Sequence, residues 1–78
     1  MHVRTVLKVY EILKSAKVPI TMFEIRKRSN YSINHYSIRK ALEFLEKMGK
    51  VERVKTSFTT FWKAKNHGEV DSATQSVD

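Results

Sequence analysis

In SINHYSIRKALEFLEKMG, residues 32–49, apolar side chains return every three or four positions, the spacing of one face of an α-helix. Ile38, Ala41, Leu42, Leu45 and Met48 gather on one side, with Phe44 at its margin. His35, Tyr36, Arg39, Lys40, Glu43 and Lys47 point the other way. Ser32 is placed to cap the first free backbone N–H groups, and Gly49 to take the left-handed conformation that ends a helix. The pattern predicts a helix over 33–48 with an apolar core side and an aromatic, polar and basic outward side.

Residues 3–16 carry the same periodicity, with Val3, Val6, Leu7, Tyr10 and Leu13 on one stripe. Val9, Ile12 and Ala16 widen that stripe well beyond the ~100° one buried face needs, so something must cover the surplus. A hairpin of the same chain or the equivalent helix of a second copy would serve, and the expectation is a homodimer through Val9, Ile12 and Ala16. Pro19 cannot sit inside a helix, so Val18-Pro19-Ile20 reads as a short extended link. Thr21-Met22-Phe23-Glu24 has the form of a capping box, and Ile20 and Ile25 are spaced as a hydrophobic staple. Both predict a second helix over 22–29, with Met22 or Phe23, Ile25 and the stem of Arg28 inward and Arg26 and Lys27 outward.

Ser29-Asn30-Tyr31 interrupts the helical pattern and leads to the third helix. After Gly49 the code changes to that of strands: Val51 to Lys55 and Thr59 to Ala64 are rich in Val, Thr, Phe and Trp. Thr56-Ser57-Phe58 joins them without Gly or Asn, so a hairpin is predicted and its turn type is not. Trp62 is expected to pack back on the helices. Residues 66–78, NHGEVDSATQSVD, show no apolar periodicity and read as a disordered acidic and polar tail. The fold class predicted is mainly α with a small β-hairpin, in one domain over 1–65.

Charge sharpens this picture once it is divided by position. All fifteen Lys and Arg fall in residues 1–65 against five acids, a net of +10, while 66–78 carries three acids and no Lys or Arg. A polyanion such as nucleic acid, or an anionic lipid surface, is the natural partner of so basic a domain. The chain has no Cys, which removes disulfides, thiolate metal sites and cysteine nucleophiles. Its apolar runs are too short to span a membrane and no signal peptide is evident, so a cytoplasmic protein is expected. His2, His35 and His67 share no metal-ligand spacing, and no nucleophile triad or Gly-rich phosphate loop is present. We therefore expect no enzyme, no cofactor and, in a chain this short, no separate effector domain.

Two helices joined by turn-forming residues make a helix-turn-helix, and the order helix, short strand, helix, turn, helix, hairpin resembles the winged helix-turn-helix superfamily. Thr21-x-x-Glu24-Ile25 is similar to the opening of that family's second helix. Ser37-Ile38-Arg39-Lys40-x-Leu42-x-x-Leu45-x-x-x-Gly49-x-Val51 looks like its recognition helix and entry to the wing, and Phe61-Trp62-Lys63-Ala64 like its last strand. The likeness covers residues 3–65, and each motif is degenerate. The step from Ile25 to Ile38 is about two residues longer than the compact form, whose turn has three or four residues, and the wing tip lacks its usual glycine.

The resemblance implies a sequence-specific binder of double-stranded DNA, a small stand-alone transcriptional regulator of archaeal or viral type. Helix 33–48 would enter the major groove, presenting Asn34, His35, Tyr36, Ser37, Arg39 and Lys40; Arg39 suits guanine and Asn34 adenine, each through two hydrogen bonds. Hairpin 51–64 would serve as the wing, with Arg53, Lys55, Thr56, Ser57 and Lys63 on phosphates or the minor groove, joined by Arg26 and Lys27. A solvated basic surface accounts equally for any one of these cations. His35 is equally a cap, and Tyr36 equally a cover for the staple beside Tyr31. The alternative function is a winged-helix interaction module that binds protein or structured RNA.

Overall fold

The structure, a computed structural model, describes residues 3–65, so the expected tail over 66–78 lies outside the described residues. Three helices come first, α1 (Val3–Ser15), α2 (Met22–Arg28) and α3 (His35–Lys47), then an antiparallel hairpin of β1 (Val51–Lys55) and β2 (Thr60–Ala64). This is the α+β, winged-helix arrangement expected from the sequence. Among the described residues no helix is long and apolar enough to cross a membrane.

α3 is the central piece because it buries Ile38, Ala41, Leu42 and Leu45 on one side, against α1, α2 and β1. Its start differs from the expectation. The cap is Asn34, whose Oδ1 accepts the Ser37 N–H at 2.8 Å, while the Ser32 hydroxyl donates to the Ser29 carbonyl at 2.7 Å inside the turn. Ile33, buried between the two, anchors the turn to the core. At the other end Gly49 takes φ 75°, its N–H donates to Glu46 O, and the Lys50 N–H reaches back to Leu45 O. These paired bonds form the left-handed motif that closes a helix.

The turn between α2 and α3 runs from Ser29 to Asn34, longer than the compact form, as the Ile25–Ile38 spacing indicated. Asn30 and Tyr31 both adopt left-handed backbone, at φ 60° and 59°. Such a conformation is uncommon in a bulky residue. Here the Asn30 and Tyr31 N–H groups terminate α2 on Lys27 O and Arg26 O, and the Arg26 guanidinium lies 5.6 Å from the centre of the Tyr31 ring.

α2 starts on Thr21 as expected, with Thr21 Oγ1 accepting the Glu24 N–H. The Glu24 carboxylate, however, turns forward to Arg28 at 3.0 Å instead of back to the cap. Of the alternatives for the inner side, Met22 is half-buried and Phe23 exposed; Arg28 is exposed too, and Ser29 takes a buried place beside Ile25. The 18–20 link does more than connect. Ile20 exchanges two backbone hydrogen bonds with Trp62, at 2.9 and 2.7 Å, which adds a single rung to the hairpin. Trp62 is buried against the helices, as the sequence indicated.

The largest revision concerns α1. Its apolar arc is as wide as the spacing indicates, but the core centres on a different part of it. Val9 and Leu13 are fully inside, with Val6, Tyr10, Ile12 and Ala16 half-buried around them. Val9 is therefore core and cannot be a dimer contact, and Ile12 and Ala16 pack inward as well. The surplus lies at the opposite margin, where Val3 and Leu7 stand in water. Met48, expected inside, is exposed beside them, and Phe44 is only partly covered. These residues line one apolar groove between α1 and the end of α3.

Candidate nucleic-acid interface

α3 presents a continuous outward side, because its four buried residues all lie on one arc. His35, Tyr36, Arg39, Lys40, Glu43 and Lys47 are all exposed. Arg39 has 68% of its side chain accessible, so neither the hairpin nor another helix covers it. One flank of this side opens into a groove of about 520 Å³, walled by the start of α2 at Thr21–Phe23, by His35, Arg39 and Glu43 of α3, and by Arg53, Thr59, Thr60 and Trp62 of the hairpin.

Arg39 and Lys40 on this side are not free charges. Glu43 sits between Arg39, at 3.4 Å, and Lys40, at 3.9 Å, and takes up part of both. Such pairs between exposed groups are worth at most about 1 kcal/mol, so phosphate can displace the carboxylate at little cost. Lys40 also lies 5.6 Å from the centre of the Tyr36 ring, one turn away, which holds both side chains along the helix. Arg53 is held more firmly: its guanidinium stands 4.8 Å from the Trp62 ring centre and 2.8 Å from the Glu46 carboxylate. It forms the joint between β1 and α3.

Several residues singled out in the sequence do other work. The Asn34 carbonyl oxygen is committed to the cap, which leaves only its NH₂ and removes the two-bond approach to adenine. The Ser37 N–H completes that cap, and its side chain is half-buried. Arg26 is half-buried under Tyr31 with its Nε enclosed, so it is a poor phosphate contact; Lys27, next to it, is exposed. Lys63 belongs to the back of the hairpin. It follows Trp62, which faces the helices, so alternation along the strand turns it away, where it meets Glu52 across the ladder at 3.8 Å. Lys55 and Ser57 stand exposed toward the wing tip.

Thr56 shapes that tip. Its N–H and hydroxyl both donate to Thr59 O at 2.9 Å, and its Oγ1 accepts from the N–H groups of Thr59 and Phe58. A side-chain-braced turn thus replaces the missing glycine. It holds Phe58 outward at 96% exposure, the most exposed large hydrophobic side chain among the described residues. Phe58 belongs to the Thr56-Ser57-Phe58 link, whose turn type the sequence does not give.

The site therefore comprises the exposed face of α3, a groove on either flank of it and the hydrogen-bonded tip, all within residues 1–65 of net charge +10. No family model matches the chain, and no curated protein matches it.

Proposed function

We propose that this protein binds double-stranded DNA, with the outward side of α3 in the major groove and the β1–β2 tip on the neighbouring backbone or minor groove, and that it acts as a transcriptional regulator in the cytoplasm. The observation that carries the reading is the uncovered side of α3 at His35, Tyr36, Arg39 and Lys40, backed by four buried residues and flanked by a stiff hairpin. A groove ~12 Å wide admits one helix, and a helix anchored only from behind fits it without rearrangement. Arg39 is the residue best suited to a base edge, through two hydrogen bonds to guanine. Lys40, Lys47, Lys55 and Lys27 suit phosphates, which fix position without reading sequence.

Selection of bound duplexes from a random pool tests the reading, and the expected result is a short enriched motif. On that duplex the Arg39→Ala/Lys40→Ala variant is expected to bind more weakly, with the slope of log K against log salt reduced by about 1.8, or ~0.9 per lost phosphate contact, if both groups meet phosphates. Loss of guanine preference with a smaller change in slope places Arg39 on a base. Unchanged affinity and slope would mean that α3 is not the reading element, and tighter binding to single strands or RNA than to duplex would overturn the choice of partner.

A further inference from the structure

We propose that the apolar groove between α1 and the C-terminal half of α3 is the docking site for a second copy of this chain. The groove encloses about 450 Å³. Val6, Tyr10 and Leu45 lie deepest; Val3 and Leu7 rise on one side, Phe44 and Met48 on the other. These four rim residues are 73%, 54%, 44% and 58% exposed, although each belongs to a helix whose opposite side is core. A contiguous exposed apolar patch of this kind on a monomer is often functional.

The charges beside the patch select a second copy as the occupant. Arg4 and Glu11 flank Leu7 on α1, seven residues apart and hence on the same side of the helix. Both are exposed, Glu11 is the one acid of α1, and neither forms an ion pair among the described residues. When two such helices cross antiparallel about a two-fold axis at Leu7, residues equidistant from it on opposite sides meet. Leu7 then faces its own copy, and Arg4 falls within one residue of Glu11 of the partner subunit. Because the interface is isologous, that ion pair forms twice. α1 is thus self-complementary at Leu7 and in its Arg4–Glu11 pair.

The geometry also separates this surface from the DNA-facing one. α3 has 13 residues, ~20 Å of helix, with Met48 at one end and His35 at the other, so a partner on the groove leaves the first turns of both α3 helices uncovered. Self-association through this groove needs no DNA.

The experiment is the mass of the full chain in solution, by sedimentation equilibrium at micromolar to 100 µM protein and low salt. The wild type is expected at twice its 9.1 kDa. Leu7→Glu and Met48→Glu, at exposed positions, are expected at the monomer mass with unchanged circular dichroism. Arg4→Glu and Glu11→Arg are each expected to weaken self-association about five- to tenfold, since each replaces two attractions by two repulsions. The double variant Arg4→Glu/Glu11→Arg is expected to restore it. A wild type that stays monomeric throughout overturns the proposal, as does a dimer that Leu7→Glu leaves intact. A double variant no better than the singles overturns the antiparallel crossing. Duplex DNA binding by a wild type that proves monomeric leaves the proposed function standing while the dimer fails.

Discussion

Replacing Asn34 by Ala removes one well-defined interaction, the 2.8 Å bond from the Ser37 N–H to Asn34 Oδ1, and leaves a backbone donor at the start of α3 without its partner. Caps of this kind contribute about 1 kcal/mol, within a range of 0.5–2. Asn34 is exposed, so no cavity adds to that figure and water partly compensates the freed N–H. The loss is nonetheless global, because α3 supplies four of the eleven buried apolar residues among the described residues and its first turn leads directly to Ile38. For a domain of 60–100 residues, about 1 kcal/mol lowers the melting temperature by about 4–8 °C. Trp62 is the only tryptophan and is buried at the hairpin–helix joint, so its fluorescence reports the transition without a label. Asn34→Ser keeps a capping oxygen and is expected to stay within a few tenths of a kcal/mol of the wild type. The same serine cannot make an amide's contact with adenine, so unchanged duplex selectivity in Asn34→Ser is the companion expectation. Wild-type melting in Asn34→Ala, or a serine variant as unstable as the alanine one, would falsify the assignment of Asn34 as the cap.

Glu43→Gln removes the carboxylate that holds Arg39 and Lys40 and is expected to cost under 1 kcal/mol of stability, because both pairs are exposed. In filter-binding or anisotropy titrations the same variant is expected to bind duplex DNA more tightly, with a steeper salt dependence; weaker binding would mean that Glu43 itself touches the ligand. Phe58→Ala is expected to leave the melting temperature unchanged, since the ring touches almost nothing. Its duplex affinity is expected to fall by about 1 kcal/mol, or fivefold, and an unchanged titration would remove the tip aromatic from the interface. Gly49→Ala forces a side chain into φ 75°, where open space around the new Cβ leaves the backbone strain as the whole cost. That strain is about 1 kcal/mol, read as a shift of the chemical denaturation midpoint, and a neutral result would mean that the left-handed cap relaxes freely.

The order of elements was legible because the signals that set it are local. Thr21 three residues before Glu24, Gly49 after Met48, and the switch from helical to alternating spacing at Val51 each need only their neighbours. The features that sequence reading misplaced depend on what lies across the molecule. The apolar arc of α1 could be measured on a wheel, yet its centre is set by where α3 and β2 press, so Val9 went inward and Leu7 outward. Ser32 and Asn34 are both good caps by type; the buried Ile33 between them fixes the backbone so that only Asn34 is at the correct register. Arg26 resembles its neighbours Lys27 and Arg28 in sequence, and only the left-handed turn at Tyr31 brings a ring over it. In the candidate interface, the exposure of His35, Tyr36, Arg39 and Lys40 followed from periodicity. The reversal of Lys63 to the back of the hairpin follows from strand alternation, since it adjoins the inward Trp62.

The two exchanged hydrogen bonds between Ile20 and Trp62 make the hairpin a cantilever. Its root is clamped between the link and the helices through Val51 and Trp62, while the outer residues, Lys55 to Thr59, brace only one another. Bending forces applied at the free end are therefore carried to the clamp, where the Arg53–Glu46 pair joins β1 to α3. Lengthening or shortening the overhang by whole two-residue steps alters reach alone, so span along a bound surface can be adjusted without touching the packed interior.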